Sequence, residues 1–442
     1  MSDPRPVPRY TSYPTAPHFH PGIDAKTYAG WLAALPEEAT LSLYLHVPFC
    51  DRLCWFCGCH TKQVNRYAPV ADYVEALAHE IRAVGGLVGG RPVTAIHLGG
   101  GSPSMLSPTD FVSLNDELRT AFNVRGDVEF SIEIDPNDMD ETRYDALAEI
   151  GITRVSLGVQ DFNPVVQQAI NRIQTYEQTR AVVDAMRARG VDSVNLDVLY
   201  GLPHQTVASV EATVAQALTL APDRLAIFGY AHVPWLKTHQ RMIDEAALPG
   251  TQSRFEQSRA AAAAIVAAGY EPIGFDHFAK PSDRLAVAAR TGGLHRNFQG
   301  FTADDAAALI GLGASAISCL PQGYAQNLVP TGLYERQVEA TGFATARGVA
   351  LTPEDVARKW VIERVLCDGT VSCAELRERF PAWAERIWLE MEAAALYDAD
   401  GYVRFDGETF RLTPQGRPFA RSIAAAFDAY LANDTARYSK AV

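Results

Sequence analysis

LSLYLHVPFCDRLCWFCGC, residues 41–59, runs from an apolar, strand-like segment straight into a loop that carries Cys50, Cys54, Cys57 and Cys59. The other three of the chain's seven cysteines, Cys319, Cys367 and Cys373, are scattered. Such density marks a metal or cluster site. Cys50, Cys54 and Cys57 are spaced C-x3-C-x2-C. A structural zinc would call for two separated Cys/His pairs, and no second C-x2-C or H-x3-H pair follows at finger-like distance. Disulfides fit less well still, because cysteine is sparse elsewhere and the start, MSDPRPVPRY, has no apolar signal segment. A reducing cytoplasm is therefore expected. Three thiolates suit an iron–sulfur cubane, whose fourth iron stays open to a substrate or cofactor.

The 442 residues, 48% of them hydrophobic, can bury the cores of about two or three domains. The most apolar stretch, AAAAIVAAGY (261–270), is too short for a membrane span. A net charge of −13 argues against wholesale nucleic-acid binding, so an anionic substrate would need a local basic pocket.

Outward from the cysteine loop, apolar β-branched runs recur at 41–47, 93–98, 128–135, 154–159, 193–200 and 224–230. Helix-like stretches, clearest at 70–87, 107–122 and 175–190, lie between them, with Ser107 as an N-cap. Alternation of this kind predicts βα units around a parallel sheet. Six repeats suit a partial (β/α)6 TIM-like barrel, and a six-stranded Rossmann-like sheet fits the periodicity nearly as well. The polar residues favour the barrel, whose active sites sit at the C-terminal strand ends. The cysteine loop follows the first strand and GGGSPS the second. Glu133 and Asp135 end the third, Gln160 and Asp161 the fourth, Asp197 lies in the fifth, and Tyr230 and His232 follow the sixth. Gly99, Gly100 and Gly101 permit close backbone approach to a ligand, although they form neither G-x-G-x-x-G nor a P-loop.

The strings PRYTSYPTAPHF (8–19), HVPFCDRLCWFCGC, GGGSPS, IEIDP, GVQDFN, NRIQ, NLDVLYGLP, FGYAHVP, GFDHFAKPSD and HRNFQGFT together resemble the oxygen-independent coproporphyrinogen III dehydrogenases, a radical S-adenosylmethionine (SAM) family. The resemblance runs from about residue 8 to the C-terminus. It implies oxidative decarboxylation of the ring A and B propionates of coproporphyrinogen III to vinyl groups, giving protoporphyrinogen IX for haem. It also implies a [4Fe–4S] cluster and two SAM molecules that yield 5′-deoxyadenosyl radicals. Transferred residue by residue, Cys50, Cys54 and Cys57 hold the cluster, and SAM takes the open iron. Tyr44, Gly100, Gly101, Ser102, Glu133 and Asp197 contact that SAM, the two carboxylates as acceptors for ribose hydroxyls or the ammonium. Gln160, Arg172, Ala231 and Ile317 match a second SAM site, where Arg172 could grip a carboxylate with its fork.

Cys59 separates the enzyme reading from its alternative, a haem chaperone that keeps cluster and SAM but turns over no porphyrinogen, because the matching chaperone loop lacks this cysteine. Its role is open between catalytic and structural. Arg9, Lys280 and Arg296 are candidates to meet the substrate's carboxylates at the barrel mouth, and an arm with Tyr10, Tyr13 and Pro14 could cover it. Long relatives extend about ten or more residues ahead of PRYTSYP, whereas seven residues precede Pro8 here, which leaves closure by the extreme N-terminus open. The expected layout is an arm (1–35), a barrel (36–300), a connecting segment that completes the active site (301–345) and a mainly helical, winged-helix-like accessory domain (346–442). In the last, Asp406-Gly407 reads as a hairpin turn. A one-electron reductant and an electron acceptor are implied as partners. No nucleic acid and no membrane span are expected, and monomer is the default.

Overall fold

The computed structural model describes residues 7–431, so both extreme ends of the expected arm and accessory domain lie outside the described residues. Six parallel strands come first: β1 (Leu41–Val47), β2 (Pro92–Gly100), β3 (Asn123–Ile134), β4 (Arg154–Gln160), β5 (Ser193–Tyr200) and β6 (Arg224–Gly229). Each leads into a helix, in turn α1 (Ala68–Val88), α2 (Pro108–Ala121), α3 (Glu141–Glu149), α4 (Tyr176–Ala188), α5 (Val207–Thr219) and α6 (Thr251–Ala267). Local chemistry sets the starts. Ser107 accepts from Asp110 N, and Thr175 with Gln178 closes a capping box at α4.

Neighbouring strands pair in sequence order from β1 to β6, all parallel. A doubly wound sheet reverses its order at a switch point; this one never does, so it is the singly wound (β/α)6 partial barrel. All seven residues of β1 are buried, with Leu41, Leu43 and Leu45 at no more than 1% exposure. At about 2 kcal/mol for each buried leucine, this strand anchors the irregular cysteine loop behind it.

The sheet is larger than the sequence predicts. Beyond β6 lie β7 (Glu271–Ile273) and β8 (His277–Ala279). On the other side of β1 lie β9 (Ala308–Leu312), β10 (Ile317–Leu320), β11 (Gly323–Asn327) and β12 (Thr345–Ala350). β9 pairs parallel to β1, and β10 to β12 follow as antiparallel neighbours. The segment expected as a connector at 301–345 therefore supplies β9, β10 and β11 to the sheet, followed by a helix, Thr331–Thr341. Its strands are Gly-, Ala- and Ser-rich, and β9 and β11 are buried at every residue, so no alternation announces them.

A second core belongs to the C-terminal region: α7 (Pro353–Cys367), β13 (Thr370–Ser372), α8 (Cys373–Arg379), α9 (Ala384–Leu396), β14 (Val403–Phe405) and β15 (Thr409–Leu412). This is the element order of a winged helix, and its small sheet runs β13-β15-β14. Asp406 Oδ1 accepts from Glu408 N and Thr409 N at 2.9 and 2.7 Å, and Gly407 takes φ +88°, which makes the expected hairpin. The N-terminal arm is stitched to this core. Tyr10 and Tyr13 are 4% and 2% exposed, and Tyr13 OH accepts from Ala429 N at 3.0 Å.

Candidate active site

Beyond β1, Pro48 ends the strand, and Phe49–Cys50 pairs with Lys62–Gln63 as a two-residue ribbon that ties the cysteine loop at its neck. Between these anchors the loop is held from outside through four of its carbonyls and one of its N–H groups. Asn171 Nδ2 donates to Leu53 O at 2.9 Å and Trp55 N to Ile170 O at 2.9 Å. Gln240 Nε2 donates to Phe56 O at 3.0 Å, His239 Nε2 to Cys57 O at 2.7 Å and Lys237 Nζ to Cys59 O at 2.9 Å. The loops after β4 and β6 thus clamp the loop after β1. At about 1 kcal/mol net for each bond, the five together contribute about 5 kcal/mol towards ordering the loop. Trp55 and Phe56 add apolar contact with Val166, Ile170 and Tyr230.

Cys50, Cys54 and Cys57 come close enough to interact electrostatically, and the charge of Cys57 raises the pKa of both Cys50 and Cys54. Cys50 is pushed up by burial first, then by Cys57 and Cys54. Cys57 is brought down to about 6, chiefly by its hydrogen bond with Cys59, whose backbone N–H also donates to its sulfur at 3.4 Å. Among the described residues no three His, Cys, Asp or Glu side chains converge on a single ion-sized point.

Arg172, buried beside the loop, donates Nε and Nη2 to Gly158 O at 3.2 and 2.8 Å. Its Nη1 meets Asp135 Oδ2 at 2.9 Å and Cys54 Sγ at 3.6 Å. The fork expected to face a ligand carboxylate is spent on bracing Cys54 against β3 and β4. Gln160, at φ +62°, packs its amide over Gly158.

The glycine run after β2 is shaped by what it touches. Gly100 has φ +115°, and a Cβ there would meet the His46 ring at 2.5 Å; at Gly101 a Cβ would meet Phe49 O at 2.5 Å. Close approach lets Gly101 N donate to Val47 O at 2.8 Å and Ser102 N to Phe49 O at 2.7 Å. Ser102 Oγ also donates to Asp138, a carboxyl that burial pushes up to about 6. Gly100 N donates to Glu133 Oε2 at 3.1 Å. Burial would raise Glu133, but His97 and this amide overcome it and hold the carboxyl below its usual value. Asp197 accepts from Asn195 Nδ2 at 2.8 Å and Ser156 Oγ at 3.3 Å; burial nevertheless lifts it to about 6, with Glu133 adding to the rise.

Tyr44 stacks on His97 with ring centres 5.8 Å apart and meets Phe298 edge-on at 4.5 Å. Burial keeps His46 neutral by lowering its pKa. Its Nε2 lies 3.0 Å from His60 O and must donate there, so Nδ1 accepts from Tyr44 OH at 3.0 Å. Cys59 is solvent-exposed, yet within electrostatic reach of Glu133 and Lys237, which sets it on the concave side.

Cys50, Cys54, Cys57, Cys59, Tyr44, Gly100, Gly101, Ser102, Glu133, Asp197, Gln160 and Arg172 thus meet at one rim. Ala231 joins through its carbonyl, which accepts from Gln240 Nε2 at 3.2 Å. Ile317 opens β10 against Gly311, the β9 partner of Tyr44. Two rim expectations are corrected. Asp161 turns into the protein, where Gln205 Nε2 and Thr213 Oγ donate to it at 2.6 and 2.8 Å. Lys280 lies at the opposite end of the barrel, because β8 runs antiparallel to β6. Its Nζ donates to Asp223 Oδ1 at 2.8 Å, and it lines a cleft of about 320 Å³ at the N-terminal strand ends. Sequence reasoning missed Asn171, Lys237, His239 and Gln240. Their position in loops after strands was the available signal.

The sequence matches the radical SAM superfamily over residues 44–217 and the HemN C-terminal domain over 351–419. It is 48% identical over 437 residues to the oxygen-independent coproporphyrinogen III oxidase of Bradyrhizobium diazoefficiens, covering 99% of this chain and 97% of that one. Against the Escherichia coli oxidase of the same name it is 41% identical over 426 residues, covering 96% and 93%. The solved structure of coproporphyrinogen III oxidase (HemN) from Escherichia coli superposes with a TM-score of 0.92 at 38% identity, over 96% of this chain and 100% of that one.

Proposed function

The chain belongs to the oxygen-independent coproporphyrinogen III oxidase family of radical SAM enzymes, and on that premise we propose that it decarboxylates the ring A and B propionates of coproporphyrinogen III to vinyl groups, consuming two SAM. One observation carries the reading: the three thiols, the Gly100–Ser102 cradle and the carboxylates of Glu133 and Asp197 share a single concave rim. Bound together, the cluster and SAM supply one-electron chemistry that takes a hydrogen atom from a propionate β-carbon, after which CO2 and one further electron leave. An external one-electron reductant and an acceptor complete the balance.

The chain's own residues bind, orient and exclude water. Cys50, Cys54 and Cys57 present the ligands, held still by the clamp on the backbone of their loop. Close backbone approach at Gly100 and Gly101 admits the amino-acid end of SAM. Glu133 and Asp197, being acceptors, suit its ammonium and ribose hydroxyls. Tyr44, aligned by His46 and Phe298, walls the site. Gln160, Arg172, Ala231 and Ile317 border the space assigned to a second SAM. Cys59 leaves a thiol beside the cluster whose part is positional in this reading.

All seven cysteines are free, which supports a reducing setting, and no described helix is long and apolar enough to cross a membrane. The test is an anaerobic incubation of reconstituted protein with coproporphyrinogen III, SAM and a strong reductant. Two 5′-deoxyadenosine per protoporphyrinogen are expected; SAM cleavage with unchanged porphyrinogen would overturn the reading in favour of a haem carrier.

A further inference from the structure

A porphyrinogen with propionate side chains calls for cations whose donors are open to the mouth. Of those expected from the sequence, Lys280 lies at the far end of the barrel. Arg296 is folded over the rings of Phe301 and Phe275 at 4.6 and 4.9 Å, with its Nε and Nη1 sealed from solvent, and exposed Arg9 stands within electrostatic reach of it. Two other cations keep open donors beside the cysteine loop. Lys237, in the loop after β6, spends one Nζ–H on Cys59 O at 2.9 Å. Arg347, in β12, spends its Nε on Gln326 Oε1 at 2.7 Å. Neither makes an ion pair with a carboxylate among the described residues. The Nη1 and Nη2 atoms of Arg347 hold no partner there and remain accessible to solvent.

Sheet register fixes where Arg347 points. Ile317 in β10 is the partner of Gln326 in β11, and Gln326 that of Arg347 in β12, so the three side chains leave one face of the sheet in a row. On that face Ile317 borders the site. Lys237 arrives from the other side, since β6 and β12 flank β1 in the strand order. Both cations act on His60, the residue after Cys59, whose carbonyl lies 3.0 Å from His46 Nε2. Burial first, then Lys237, His46 and Arg347, bring His60 down to about 4, so its ring is neutral beside two charged groups. Glu133, the carboxylate that acts on Cys59 and His46, is already engaged by His97 and Gly100 N. A carboxylate arriving here would relieve the crowding of like charge. The planar fork of Arg347 can take both of its oxygens, and the ammonium of Lys237 adds a point charge.

We infer that Lys237 and Arg347 form a clamp for the carboxylate of the propionate that reacts. The inference rests on the proposed activity for its substrate and adds which group is held and where. Lys237 is bonded to the cysteine loop itself and acts on His46, whose ring packs against Gly100. A carboxylate in the clamp therefore lies on the cluster side of the mouth, beside the Gly100–Ser102 cradle, and its propionate belongs to the edge that is oxidised. The chemistry then empties the clamp. Once a hydrogen atom has left the β-carbon, the bond between the α-carbon and the carboxyl carbon breaks, one electron passes to the external acceptor, and the carboxylate departs as neutral CO2, leaving a vinyl group. An uncharged vinyl group gives the two cations nothing to hold, so the finished edge is released and the second propionate can take its place.

The test uses cluster-loaded protein and two oxidised, fluorescent porphyrins, so it does not depend on turnover. Coproporphyrin III carries the propionates of all four rings, whereas mesoporphyrin IX keeps those of rings C and D and has ethyl groups on A and B. Arg347→Met and Lys237→Met should each weaken coproporphyrin III by about tenfold or more and mesoporphyrin IX by less than about twofold, and Arg347→Lys should recover part of the loss. A merely structural role would weaken both porphyrins alike, so equal penalties in either folded variant overturn the inference, as does unaltered coproporphyrin III affinity in the double variant. Loss of SAM affinity with coproporphyrin III binding intact overturns it too, by assigning the clamp to the carboxylate of SAM. Should the variants fail to fold or lose their iron, the two porphyrins on the unaltered protein decide: coproporphyrin III should bind about tenfold tighter or more, and equal affinities overturn the clamp. Porphyrin binding that obeys these rules without any turnover of coproporphyrinogen III would uphold the clamp and sink the activity instead.

Discussion

Replacing Gly101 by alanine tests whether the glycine run is a ligand cradle or a plain turn. An alanine Cβ would stand 2.5 Å from Phe49 O, 2.9 Å from Phe49 N and 3.0 Å from Phe49 C. Ordinary contact begins near 3.5 Å, so the two backbones must part by about 1 Å. They are joined by Gly101 N to Val47 O and Ser102 N to Phe49 O, at 2.8 and 2.7 Å, and neither bond survives such a move unstretched. Overpacking costs about 1–3 kcal/mol and the weakened bonds about 1 kcal/mol more, a total of roughly 2–4 kcal/mol. Phe49 directly precedes Cys50, so the displacement falls on the cluster ligands and the cradle together. Expressed wholly in ligand binding, 2 kcal/mol is about a 30-fold loss of SAM affinity.

The assay is SAM titration of reconstituted protein, beside a denaturant unfolding curve. Gly90→Ala is the control, since nothing lies within 4 Å of a Cβ there, and it should stay within about 0.5 kcal/mol of the unaltered chain. Gly101→Ala protein with unaltered SAM affinity and unaltered unfolding midpoint would refute the reasoning, because the strain would have to vanish from both places.

Arg172→Lys should reduce iron retained per chain after reconstitution and gel filtration. One ammonium cannot serve Gly158 O, Asp135 and Cys54 together; iron content equal to the unaltered protein speaks against the brace. SAM binding should weaken as pH falls from 7 to 5, because Asp197, lifted to about 6, loses an acceptor on protonation. Asp197→Asn should bind less tightly at pH 7 and show a shallower pH dependence, with Asp138 supplying the remainder; identical pH profiles would remove Asp197 from the site. Glu80, buried and accepting from Gly313 N, Tyr334 OH and Asn327 Nδ2 at 2.7 Å each, is raised by burial from 4.5 to about 6. The folded state holds the extra proton, so this contribution is complete below pH 4.5 and is lost as pH rises through 6, about 2 kcal/mol in all. Denaturant midpoints at pH 4.5 and 7 should therefore fall with pH more steeply for the unaltered protein than for Glu80→Gln, and parallel slopes would contradict it.

What could be read in advance follows from how each part is stabilised. β1 to β6 are buried β-branched runs separated by capped helices, so periodicity found them to within a few residues. The order in which polar residues leave them also separated barrel from Rossmann sheet. β9 to β12 escaped because residues such as Gly311, Ala325, Gln326 and Asn327 are buried for their backbone fit and hydrogen bonds rather than their apolarity. Alternation carries no trace of that. The cysteines were legible since thiolate chemistry demands those residues at a tight spacing. Their clamp was not, because a carbonyl accepts equally from asparagine, glutamine, histidine or lysine, and Asn171, Gln240, His239 and Lys237 use all four.

The cations mark the same boundary from the other side. Lys237 and Arg347 each look like one more solvated charge, and Lys280 looked as good a candidate as either. Only the antiparallel return of β8 sends Lys280 to the far end, while the loop after β6 and the register of β12 bring Lys237 and Arg347 to the mouth. A residue whose task is set by chemistry at one atom can be read from sequence. A residue whose task is set by where distant segments meet needs the fold, and its function is therefore best tested by a ligand altered at the matching group.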